Sequence, residues 1–118
     1  FRIVANDPAA GPDLVLRAEY QIGRCLEKLG KTTEAFQQYY NKVILRYFED
    51  RDKGVRHNEA CKVWFTRAVF NAADIMEAKK DWRGAVSILE RLIKAGVPAL
   101  EDARSRVNKL KAEHWWLF

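Results

Sequence analysis

The segment Ala18-Glu19-Tyr20-Gln21-Ile22-Gly23-Arg24-Cys25-Leu26-Glu27-Lys28-Leu29-Gly30-Lys31-Thr32-Thr33-Glu34-Ala35-Phe36 holds two helices and the turn between them. Ala18, Ile22, Cys25, Leu26 and Leu29 recur at helical spacing and form one apolar face. The helix is expected to start near Gly11-Pro12-Asp13, with Pro in the first turn and Asp13 as a cap, and to stop at Gly30. A second helix follows within a few residues, with Thr32 or Thr33 as its N-cap and Phe36, Tyr39, Tyr40, Val43, Ile44, Tyr47 and Phe48 inward. So short a connection predicts antiparallel helices sharing a core.

The same pattern extends outward. Glu49 to His57, which mixes both charge signs around Gly54, reads as a solvated loop. A long helix then carries Trp64, Phe65, Ala68, Val69, Ala72 and Met76, with Lys79-Lys80 in its last turn and Asp81 as the next N-cap. The fourth helix turns Ala85, Leu89, Leu92 and Ile93 inward and ends at Gly96. Pro98 opens a fifth, with Leu100, Ala103, Val107 and Leu110 on one stripe. No stretch alternates with period two, so the expected class is all-α with about five helices.

The chain has 118 residues, 48% hydrophobic and 31% charged, which suits one packed domain and argues against global disorder. Its net charge of +5 is spread evenly, +2 before Asn58 and +3 from it onward, so neither half is a basic arm or an acidic tail. No run reaches the roughly 18 apolar residues of a bilayer span. Cys25 and Cys61 lie in no Cys-x-x-Cys pair and are expected as two buried thiols, with a bridge between them as the alternative. The opening Phe1 to Asn6 reads as the end of an earlier helix, so a fragment of a longer chain is expected.

Aligning the two tight turns sets Gly30 on Lys80 and Ala35 on Ala85, an offset of 50 residues. Small residues stand where helices must approach closely: Gly23 and Ala35 in the first hairpin, Ala73 and Ala85 in the second. Glu19-x-x-Ile22-Gly23-x-x-Leu26 with Ala35-x-x-x-Tyr39 resembles the tetratricopeptide repeat pattern, as does Val69-x-x-Ala72-Ala73-x-x-Met76 with Ala85-x-x-x-Leu89. Glu19 replaces the family's Trp, Tyr47 stands where Pro would be, and Pro98 falls one place late. The offset exceeds the family period of about 34, which fits lengthened helices around the charged loop.

The resemblance implies antiparallel hairpins stacked as an α-α superhelix. Residues 1–12 would be the tail of a preceding repeat and a turn, 13–49 the first hairpin, 50–57 the charged loop, 58–97 the second hairpin and 98–118 a capping helix. Ala18 to Gly23, Leu29-Gly30 and Glu34-Ala35 are similar to divergent repeats of bacterial cell-envelope proteins, such as the Tol-Pal accessory protein and outer-membrane assembly lipoproteins. A periplasmic or envelope location follows from that likeness alone.

The chemistry-bearing residues are sparse. His57 and His114 are the only histidines, and neither has nucleophile partners. His57 and Cys61 are four apart, but two ligands make no metal site, so a solvated His beside a buried Cys is expected. The six glycines form no phosphate-cradling loop. No catalysis, metal or cofactor is therefore expected.

By resemblance, the peptide groove is lined by Arg17, Tyr20, Gln21 and Arg24 in the first repeat and Arg67, Phe70, Asn71 and Asp74 in the second. Three arginines against one aspartate favour an acidic or C-terminal carboxylate ligand, with Tyr20 and Phe70 as apolar anchors. The family's carboxylate clamp for chaperone tails needs Lys and Asn where Tyr20 and Arg24 stand, and only Asn71 matches. Arg104, Arg106, Lys109 and Lys111 form a basic run on the last helix, read as a solvated face rather than a nucleic-acid contact. Trp115, Trp116, Leu117 and Phe118 are expected either to fold back over the last hairpin or to dock on a partner, a second copy or a membrane surface.

The implied function is a non-catalytic protein-interaction scaffold that takes an acidic or extended peptide. The competing reading is a structural repeat segment or oligomerisation module of an envelope protein. Neighbouring repeats of the parent chain, a protein or peptide partner and a homodimer are the expected partners.

Overall fold

The computed structural model describes residues 11–118, and the expectation for Phe1 to Asn6 lies outside them. Those residues are all-helical. Helix α1 (Pro12–Lys28) is followed by α2 (Thr32–Gln38), a π-helical segment (Tyr39–Ile44) and α3 (Leu45–Asp52), which run on without a break. Then come α4 (Glu59–Ala78), α5 (Trp82–Ala95), α6 (Leu100–Glu113) and a 3-10 turn (Trp115–Leu117). Counting 32–52 as one interrupted helix, this matches the five expected. The described residues divide into two compact units, 11–68 and 69–118, so the division falls inside α4 rather than at the charged loop. The contacts explain this. Rings from the first half of α4 pack on Tyr20, Tyr47 and Phe48, while acids from its second half engage Arg106 of α6.

In the first unit, α1 packs against α2 and the π segment. Gly23 permits this, because a Cβ there would lie 2.7 Å from Cδ1 and 2.9 Å from Cζ of Tyr39, inside any real contact distance. Tyr39 is fully buried and its hydroxyl donates to Glu27 Oε1. Gln38 Nε2 donates to the Glu19 carbonyl at 3.0 Å, a second link across the hairpin. Val15, Leu16, Ala18, Ile22, Val43, Ile44, Tyr47, Cys61 and Phe65 complete this core.

The second unit buries Val69, Ala72, Ala73, Ile75, Ala85, Leu89 and Leu92, with Val107 and Leu110 from α6, which packs on α5. Its tight turn repeats that of the first unit bond for bond. Gly30 N and Lys31 N donate to the carbonyls of Glu27 and Leu26, and fifty residues on Lys80 N and Asp81 N donate to those of Glu77 and Met76, all at 2.9 Å. Gly30 and Lys80 both take left-handed backbone, with φ of 77° and 60°. The repeat inferred from composition is thus a repeat of hydrogen bonding.

Several local expectations need correction. Cys25 is exposed and Leu29 is 70% exposed, because the buried face of α1 rotates onto Val15, Leu16, Glu19 and Tyr20; Cys61 alone is buried, and both thiols are free. Lys31 precedes α2 and no side chain caps it, so neither threonine is the N-cap; Asp13 likewise forms no cap bond. Asp81 does cap α5, accepting from Gly84 N at 2.9 Å. Helix α3 continues through Glu49 to Asp52, and the loop is shorter than expected.

Candidate functional site

Helix α1 places Arg17, Gln21 and Arg24 one turn apart on a single face, and the first half of α4 brings Trp64 and Arg67 to the same unit. The guanidinium carbons of Arg17 and Arg67 lie 5.8 Å and 4.9 Å from the centroid of the Trp64 indole. Beneath them, Trp64 meets the ring of Tyr20, which in turn meets Tyr39, each pair 5.6 Å apart. A buried aromatic column thus supports an indole flanked by two cations.

Arg17, Arg24 and Arg67 are exposed, and none forms an ion pair among the described residues. Arg46, Arg104 and Arg106, by contrast, each lie beside a carboxylate. Tyr20, expected as an apolar anchor, is only 7% exposed, with its ring against those of Trp64 and Tyr39. Gln21 is half-buried. Trp64 was legible only as core; Arg67 meets it as the i+3 neighbour on α4, while its position beside Arg17 depends on tertiary packing. Exposed Leu14 and Val63 stand one turn before Arg17 and Arg67.

In the second unit, Phe70 and Asn71 are half-buried, and Asp74 is exposed but already engaged. Arg106 donates to both Asp74 and Glu77, and its guanidinium carbon lies 5.8 Å from the Phe70 centroid. Burial works against the Arg106 charge, but the hydrogen bonds to Glu77 and Asp74 outweigh it and raise the pKa further. The basic run on α6 is therefore mostly compensated: Arg104 pairs with Glu101 at 3.1 Å and Lys111 with Glu90 at 3.4 Å.

His57 is not solvated. Its side chain is 5% exposed and its ring stacks on Tyr47 at 4.2 Å, which stacks on Phe65 at the same distance. Nε2 is buried without a hydrogen-bond partner, 4.0 Å from Asp50 Oδ2. Burial lowers the His57 pKa, with Asp50 pulling it up and Arg51 down. Burial raises the pKa of Cys61, so its thiol has no activated character. No group of three metal-ligating side chains occurs among the described residues, and none of their helices is long and apolar enough to cross a membrane.

The terminal aromatics do not fold back over α5 and α6. Trp115, Trp116 and Phe118 are 73%, 62% and 48% exposed, and Leu117 is half-buried. His114 lies flat on Trp82 at 4.1 Å, Trp116 meets His114 edge-on at 5.4 Å, and Phe118 lies 5.8 Å from Lys111 Nζ of α6.

A family model for the tetratricopeptide repeat matches residues 17–47 and 67–95, just over half of the chain and the two stretches aligned above by their turns. No curated protein and no solved structure matches.

Proposed function

The chain belongs to the tetratricopeptide repeat family, whose repeats generally mediate protein–protein interaction and are typically non-enzymatic, and from that premise we propose that it captures an acidic, extended peptide. The carrying observation is the pair of exposed, uncompensated guanidiniums of Arg17 and Arg67 over the Trp64 ring. Arginine forks take carboxylates in a bidentate way, and their preorganisation on an indole reduces the entropy lost on binding. Arg24, two turns along α1 from Arg17, extends the same basic edge. In the second unit, Phe70, Asn71 and Asp74 are the corresponding positions, and the pairing of Asp74 with Arg106 mutes the one acidic group among them.

The test is a titration of the chain with a labelled Asp/Glu-rich peptide. Charge reversal of Arg24 and Arg67 together should weaken binding by about tenfold or more, each truncated charge-assisted contact being worth roughly 1.5–3 kcal/mol. Unchanged affinity in that double variant would sink the reading.

A second reading, a structural or oligomerisation segment, draws support from the exposure of Trp115, Trp116 and Phe118. Replacing all three by Ser should lower the mass seen by light scattering if they join two copies. Placement in a bacterial cell envelope rests on the Ala18-to-Gly23, Leu29-Gly30 and Glu34-Ala35 pattern alone. A secretory or lipoprotein signal in the parent gene is its test.

A further inference from the structure

We infer that the anionic group that Arg17 and Arg67 attract is a phosphoryl dianion on the partner's side chain, a phosphorylated Ser or Thr within an extended segment. This rests on reading the Arg17–Trp64–Arg67 surface as the peptide-binding face.

The argument begins with charge. The protein has carboxylates to spare for other arginines, with Arg46 near Asp50, Arg104 on Glu101 and Arg106 on two acids, yet Arg17 and Arg67 pair with no acid among the described residues. Both are held within 6 Å of one indole centroid. A guanidinium that lies flat on a ring uses its face there and keeps its in-plane N–H edges for a ligand.

Two such forks call for more charge than one carboxylate holds. A carboxylate brings one charge and two oxygens, so two forks draw on two acidic side chains or share a single charge. A phosphoryl group carries about −1.5 to −2 charges near neutral pH and three strong acceptor oxygens, enough for both forks at once. Leu14 and Val63, 48% and 44% exposed and one helical turn from the two arginines, would contact apolar residues flanking the phosphorylated one. Arg24 favours an acidic residue further along.

The experiment titrates the whole chain, by fluorescence anisotropy, with three labelled pools of short degenerate peptides carrying a central phosphoserine, glutamate or serine. The phosphoserine pool should bind at least about tenfold tighter than the glutamate pool, and this advantage should fade as pH falls below about 6, where phosphate regains its second proton. Inorganic phosphate should compete only in large excess, because it lacks the flanking contacts. The variant carrying both Arg17→Lys and Arg67→Lys keeps the charge but not the planar forks, and should lose the advantage.

Equal binding of the phosphoserine and glutamate pools would overturn the phosphate assignment while leaving an acidic ligand in place. Equal binding of all three, serine included, would overturn both readings. An advantage that survives in the double lysine variant would show that phosphate binds elsewhere and overturn the assignment to this pair.

Discussion

Gly23 and Tyr39 show how one missing side chain lets two helices close. The Tyr39 ring occupies the space a Cβ would need, and its hydroxyl is satisfied by Glu27, so the ring has no cheap retreat. Gly23→Ala should therefore destabilise the fold by about 1–3 kcal/mol despite the better helix propensity of Ala, read as a lower urea midpoint. His57 gives a second residue-scale expectation. Its folded pKa lies below the ordinary imidazole value of 6.5, so the unfolded chain binds more protons between the two values. The stability it supports is present above pH ~6.5 and is lost as pH falls through the folded pKa. Thermal unfolding at pH 7.5 and pH 5 should show that loss in the native chain, and a smaller one in His57→Phe, which keeps a ring on Tyr47 without a titrating nitrogen.

At the scale of elements, the two turns carry the repeat but differ in chemistry. Gly30 adopts left-handed backbone freely, whereas Lys80 adopts it with a Cβ. Nothing lies within 4 Å of a Cβ built at Gly30, so strain there is purely a matter of backbone conformation. Lys80→Gly should raise stability by roughly 0.5–1 kcal/mol, and Gly30→Ala should lower it by about 1 kcal/mol, both measured by denaturant unfolding. Asp81→Ala removes the one side-chain cap on α5 and should cost about 1 kcal/mol. The π segment was not legible. Phe36, Tyr39, Tyr40, Val43, Ile44 and Tyr47 satisfy α-helical spacing, and the wider turn begins where Gln38 and Tyr39 are held to α1 by long-range hydrogen bonds. Sequence spacing carries no record of those bonds.

For the molecule as a whole, the net charge of +5 says little until ion pairs are removed from it. The basic run on α6 looked like a solvated face in sequence, but Arg106 reaches acids 29 and 32 residues away. Arg106→Ala should leave Asp74 and Glu77 repelling each other and destabilise the chain by up to about 1 kcal/mol, less at high salt, as a salt-dependent unfolding series would show. Of the two courses expected for the aromatic end, the exposed one is observed, for a related reason. Apolar composition predicts burial only if a surface is free to receive it, and the flat face of Trp82 is already taken by His114.

The amino-acid sequence by itself determined the helices, their order, the tight turns and the close-approach positions, because periodicity, turn glycines and the Asp81 cap act over a few residues. It also determined the family, since both matched stretches coincide with those local signals. Only the tertiary structure decided which arginines are compensated, that Tyr20 lies beneath the surface and Trp64 at it, and that His57 is buried. Those outcomes depend on which residues distant in the chain meet, such as Arg17 with Trp64 or Asp74 with Arg106, and the energies of charge and burial are set by those neighbours rather than by the residue itself.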